Sequence, residues 1–190
     1  MVTPSRLRRR LCWKAGWIHS NRLIYYNDII MKNSHPLLEL LEKDQIGIRQ
    51  YKDEKIDAEK YNKINQEVIY EFKEYIKNNG FPFKNLYGQD VYKAAVVLAL
   101  HTSNDFLESI FEIIKEAGEN QIDIKDKAYF IDRILVYRGK PQIYGMQFKI
   151  SIDGLMEPLS IEDPHNVNKR RAEIGLELIE KYKKRVEEQG

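Results

Sequence analysis

Hydrophobic residues recur at three- and four-residue spacing over most of this chain and change period only once, late. The segment 35–50 sets Leu37, Leu38, Leu40, Leu41, Ile46 and Ile48 behind Pro36, the pattern of an amphipathic helix with proline in its first turn. A second helix is predicted from about Asp57 to Asn79, with Tyr61, Ile64, Val68, Ile69, Phe72, Tyr75 and Ile76 on its apolar face. Asn79-Gly80 stops it and Pro82 follows. The run "NNGFPFKNLYGQD" reads as a connector. "VYKAAVVLALH" is apolar on nearly every side, so it predicts a central, buried helix over about 91–103, capped by Asp90. Two further helices are predicted, from Asp105 to Ala117 and from Lys125 to Tyr137, closed by Gly118 and Gly139.

The period then shifts. In "PQIYGMQFKISIDGLMEPLSI", strands from Ile143 to Ile152 and from Leu155 to Ile161 flank Asp153-Gly154, a strong two-residue hairpin signal. Pro158 confines the second strand to an edge. A short helix broken near Gly175 and a charged final helix complete the chain. The expectation is a mainly α (α+β) fold of about five to seven helices with one late hairpin at 142–161, forming a single domain over 35–188.

Composition narrows the class of protein. The chain has 190 residues, 43% of them hydrophobic and 32% charged, as in an ordinary globular domain. No apolar run is long enough to span a membrane. The single cysteine, Cys12, precludes an intramolecular disulfide and fits a reducing, cytoplasmic setting. The sequence lacks CxxC, HExxH, GxGxxG and GxxxxGK[ST] spacings, so neither a metal nor a phosphate-cradling cofactor is expected.

The net charge of +2 conceals an asymmetry: residues 1–30 hold six Arg or Lys and one acid, which is +5, and leave −3 for the rest. A nucleic-acid footprint could lie only in that basic segment. It reads poorly as a secretory signal. Trp13, Trp17 and Tyr25 among the arginines would suit a binding arm. An upstream extension ahead of Met31, or plain disorder, is the favoured reading, because "MKNSHPLLELLEKDQ" opens directly into a helix.

Several polar residues stand out against the apolar periodicity. His101 closes the central helix, where the macrodipole favours an imidazolium and the ring could act as general base or acid. Asp132 and Arg133 sit inside "AYFIDRILVY", so at least one should be half-buried. A structural alternative pairs Asp132 with a buried arginine such as Arg49 and makes it a packing device. Gln142 and Gln147 could read the edge of a base or an amide, or satisfy backbone where a strand leaves a helix. On strict alternation Gln142, Tyr144, Met146 and Phe148 share one face and Gln147 the other; a bulge at Gly145 would turn both glutamines inward. Asp44, Gln45 and Arg49 lie on the first helix, with Asp44 near the edge of its inner face.

Taken in order, these residues form a pattern. Asp44-Gln45 with Arg49, "GFP" at 80–82, Gly88, a helix ending in His101, Asp132-Arg133, "GKPQIYGMQF" at 139–148, "PLSIEDP" at 158–164, Arg170-Arg171 and Gly175-Leu176 resemble an uncharacterised family of small bacterial proteins. Its hallmark is a DR…GxPQxYGTQ pattern. The resemblance covers roughly residues 36–185, with Met146 in place of the usual Thr and Phe81 in place of the usual Trp. It implies a fold and a residue set and no established activity.

The functional expectation is a pocket between the central helix, the Asp44 helix and the hairpin corner. Asp44, Arg49, Arg133, Gln142, Tyr144 and Gln147 would bind, with an arginine clamping an anionic group and His101 or Asp132 moving a proton. Those residue types suit a metal-independent hydrolase or transferase acting on a small polar or nucleotide-like molecule. The alternative is a protein that binds without chemistry, an immunity factor or a small-molecule sponge, whose partner is a protein or small ligand.

Because the body has its own helix start and apolar faces, deletion of residues 1–30 should leave folding intact. Thermal melts check this: a fall of more than ~5 °C on deletion, equivalent to about 1 kcal/mol or more, would show that the segment packs.

Overall fold

The computed structural model describes residues 35–151 and 155–189. The basic segment 1–30 and the Asp153-Gly154 turn therefore lie outside the described residues. The described chain forms two compact units, one ending at Asp123 and the other beginning at Ile124. Seven α-helices and one two-stranded antiparallel hairpin make it mainly α, as the periodicity predicts.

The first unit is helical: α1 (Pro36–Lys52), α2 (Ala58–Asn79), α3 (Lys84–Leu100) and α4 (Asn104–Ile114). The buried stripe of α1 is Leu37, Leu40, Asp44 and Gly47. Gly47 permits the close approach of α2, since a Cβ there would stand 3.0 Å from Ile64 Cγ2. The facing stripe of α2 is Tyr61, Val68, Phe72 and Ile76. Asp57 caps α2 by accepting from the Lys60 amide at 2.8 Å, and Gly80, at φ 74°, ends it.

Helix α3 is buried all round from Ala94 to Ala99, as its composition predicts. Its start differs from the expectation. Residues 84–87 already form a helical turn, closed by the Leu86 and Tyr87 amides on the Phe83 carbonyl. Gly88, at φ 80°, then kinks the chain into the apolar run. Asp123 fastens this kinked start. Its carboxylate accepts from Lys84 at 2.6 Å and Gln89 at 3.0 Å and pairs with Lys93 at 2.8 Å. Burial opposes ionisation of Asp123, yet these partners hold its carboxyl well below the usual range.

The second unit comprises α5 (Ile124–Tyr137), β1 (Phe148–Ile150), β2 (Met156–Pro158), a 3₁₀ turn (Pro164–Asn166), α6 (Val167–Glu173) and α7 (Ile179–Gln189). Its core joins Met146, Phe148, Tyr182 and Val186, with Tyr129, Tyr144, Met156 and Leu176 packed against them. The hairpin pairs Phe148 with Pro158, Lys149 with Glu157 and Ile150 with Met156, so Pro158 stands on an edge strand as expected.

The strands are shorter than predicted. β1 begins at Phe148 because the amides of Ile143, Tyr144 and Met146 turn away from any ladder and donate to the carboxylate of Asp132. Further back, Gln142 bridges Ile161 in the parallel sense, opposite to a continued hairpin. Among the described residues, no helix is long and apolar enough to cross a membrane.

Candidate functional site

The polar residues singled out by sequence fall into two groups of different character. In the helical unit, Asp44 occupies a central position of the α1 stripe and is 2% exposed. Its Oδ2 lies 2.9 Å from Nδ1 of His101. The same oxygen accepts from Gln45 Nε2 at 2.9 Å. The approach of Nδ1 is at ion-pair distance without the alignment of a hydrogen bond. His101 is the C-cap of α3, its backbone amide bonded to the Ala99 and Leu98 carbonyls. The helix therefore presents its negative pole to the imidazole.

Tyr61, on the inner stripe of α2, completes this group. Burial pushes its phenol up to about 12, and the nearby Asp44 and Tyr51 add to the effect. Its ring stacks on Tyr51 with centroids 4.9 Å apart. Arg49 does not join the group: it is exposed. Five residues after Asp44, it stands roughly 140° away around the helix.

The second group surrounds Asp132, which is fully buried on α5. Oδ1 accepts from the Ile143 amide at 2.7 Å and from Tyr144 at 3.1 Å; Oδ2 accepts from Tyr144 at 3.1 Å and Met146 at 2.9 Å. Burial is the largest influence and pushes the carboxyl above its usual range, while these amides and the charge of Arg171 pull it back. Backbone amides thus take the place of the arginine partner considered from sequence.

Arg170 and Arg171 grip the same segment from α6. Arg170 Nε donates to the Ile143 carbonyl at 3.0 Å, and its Nη2 reaches the carbonyls of Glu162 and Asp163. Arg171 is fully buried. Its Nη1 donates to the Tyr144 carbonyl and its Nε to that of Glu177, each at 2.6 Å. The guanidinium lies over the Tyr182 ring, 5.0 Å from its centroid. Burial lowers its affinity for the proton, against the opposing effect of Tyr182, Glu177 and Asp132.

Both glutamines face inward. Gln142 is fully buried, and its amide replaces a missing piece of strand pairing. Oε1 accepts from the Gln147 amide at 2.8 Å, while Nε2 donates to the Gln147 carbonyl at 3.0 Å and the Leu159 carbonyl at 2.8 Å. Gln147 is 2% exposed, and its side chain engages the phenol of Tyr129. Arg133 is half-buried, and that burial lowers its guanidinium. Tyr144 is half-buried, and burial raises its phenol.

Sequence reasoning singled out Asp44, His101, Asp132 and both glutamines, and missed Tyr61 and the arginine doublet as members of these groups. The signals were present: Tyr61 stands at inner-stripe spacing, and adjacent arginines on a short helix need anchors. Among the described residues no group of three or more His, Cys, Asp and Glu side chains is placed to hold a metal ion.

Two substitutions test the Asp132 group. Asp132→Ala would strand three amide donors, so stability should fall by about 3 kcal/mol or more. Gly145→Ala should also destabilise, by about 2–4 kcal/mol from left-handed strain and overpacking. Gly145 has φ 70°, and a Cβ there would collide with the Ile179 δ-methyl and lie 3.2 Å from that of Ile161. Denaturant unfolding measures both; a loss below ~0.5 kcal/mol for either would show that the corner does not organise the unit.

No curated protein and no solved structure matches this chain. A family described as "Family of unknown function (DUF6624)" matches residues 37–189, which covers both units and every candidate residue named above. The chain belongs to that family, DUF6624.

Proposed function

We propose that the helical unit carries a general acid–base centre, in which Asp44 orients His101 and His101 exchanges a proton with a small polar substrate. The reaction class is hydrolysis or group transfer. The observation that carries the reading is the 2.9 Å approach of His101 Nδ1 to an Asp44 carboxylate that is almost wholly buried. With Nδ1 turned to the carboxylate, Nε2 is the nitrogen left for the substrate. Asp44, in contact with the ring, orients it for Nε2 to accept a proton. Gln45 holds the shared oxygen in place.

In this reading Asp132 is an organiser of backbone and carries no proton in the reaction. Gln142 is likewise a structural amide, since a side chain bonded to backbone on both its oxygen and its nitrogen has little left to offer a ligand; Gln147 is buried with its side chain on the Tyr129 phenol. Arg49, exposed and turned away from Asp44 on α1, and Arg133, on α5 of the other unit, take no part in this reading. Use of a single cysteine, Cys12, fits work in a reducing compartment.

Nitrophenyl acetate, nitrophenyl phosphate and bis-nitrophenyl phosphate supply the test, since each releases a coloured product on hydrolysis. Turnover by the wild type should fall at least about 100-fold in His101→Gln, the usual contribution of a positioned acid or base. The melting temperature should stay within a few degrees. Equal turnover in both proteins, or none from either on all three substrates, would contradict the proposal and leave a binding role in its place.

A further inference from the structure

His35 stands apart from the acid–base centre and carries a different device. It is the N-cap of α1, and its side chain, not a hydroxyl or carboxylate, accepts the first free amide: Leu37 N–H donates to Nδ1 at 3.3 Å. An imidazole can accept at Nδ1 only when that nitrogen is unprotonated. The cap therefore fixes the tautomer with hydrogen on Nε2. That hydrogen faces Tyr75 Oη on α2 at 3.2 Å. The ring also meets Tyr75 and Tyr87 edge-on, with centroids 5.5 and 5.7 Å away. One neutral imidazole thus joins the start of α1 to α2 and to the first turn of α3.

We propose that His35 is an acid-sensitive latch: protonation at Nδ1 removes the acceptor that caps α1 and releases the first turn of the helix. A protonated ring would oppose the Leu37 amide donor to donor, and would set a positive charge at the positive pole of a helix. Among the described residues, Tyr75 and Tyr87 are the titratable side chains in ring contact with it, and a phenol carries no charge to offset an imidazolium in the acid range. Glu39, in the same first turn, could offset the charge but could not restore the acceptor. Burial holds the imidazole below its ordinary value. The folded state thus prefers the neutral ring, so the latch contributes fully above the ordinary histidine range and is lost as pH falls through the lowered value. Since α1 also carries Asp44, release of its first turn loosens the helix on which the carboxylate rides.

The test is an NMR titration of the full chain from pH 8 to pH 5. The His35 ring protons and the Leu37 amide should shift with one shared midpoint, below 6.5. In parallel melts, the wild type should lose at least about 3 °C more between these pH values than His35→Asn, which retains a side-chain acceptor that does not titrate. A Leu37 amide that stays fixed while His35 titrates overturns the proposal. So does an equal loss of melting temperature in the two proteins. If His35→Asn fails to fold, Tyr75→Phe provides the second variant: it keeps the Nδ1 cap, so the coupled His35–Leu37 titration should persist, and its absence counts against the latch.

Discussion

A single buried carboxylate governs the second unit. Desolvating an ionised aspartate costs several kcal/mol unless hydrogen bonds replace its water, and Asp132 obtains them from the backbone of Ile143, Tyr144 and Met146. The peptide group between Ile143 and Tyr144 does two jobs. Its N–H faces Asp132 and its carbonyl faces Arg170, so an anion and a cation are joined through a polarised amide without touching. Arg171 adds a second cation through the Tyr144 carbonyl. With its backbone groups committed in this way, the segment cannot form a strand, and the hairpin is confined to the residues beyond it.

The two buried aspartates show how partners divide structure from chemistry. Amide N–H donors do not titrate, so a carboxylate saturated by them can organise a chain but has no route for a proton. Asp44 is as deeply buried as Asp132, yet its shared oxygen meets an imidazole, the side chain best suited to gain and lose a proton near neutrality. That contrast is why the proposed proton-transfer role falls to the Asp44–His101 pair and not to Asp132.

Much of the fold was legible because period and punctuation agree. Gly80 ends α2 and Asp57 caps it, and the all-apolar run in α3 is the buried one. The inner face of α1 was harder to read. Leu41 and Ile48 suggested a stripe with Asp44 at its edge, but Gly47 admits Ile64 and places Asp44 at the centre while Ile46 faces solvent. A glycine's contribution to packing is invisible to hydrophobic periodicity. The hairpin was over-extended for a related reason: alternation from Ile143 to Met146 looks like a strand, and only the distant Asp132, Arg170 and Arg171 withdraw its backbone groups from a ladder. A bulge at Gly145 would have turned both glutamines inward; both are buried without one, and the Gln142 side chain serves a loop.

Amide hydrogen exchange in the wild type and in Asp132→Asn tests the central claim most directly. Asparagine keeps the volume of the side chain but sets an NH₂ group against amide donors. Protection at Ile143, Tyr144 and Met146 should drop at least about 10-fold, corresponding to roughly 1.4 kcal/mol, with Gln147 following as its pairing to Gln142 loosens. Equal protection at those three amides in both proteins would show that the segment holds its shape without the carboxylate, and would contradict the account.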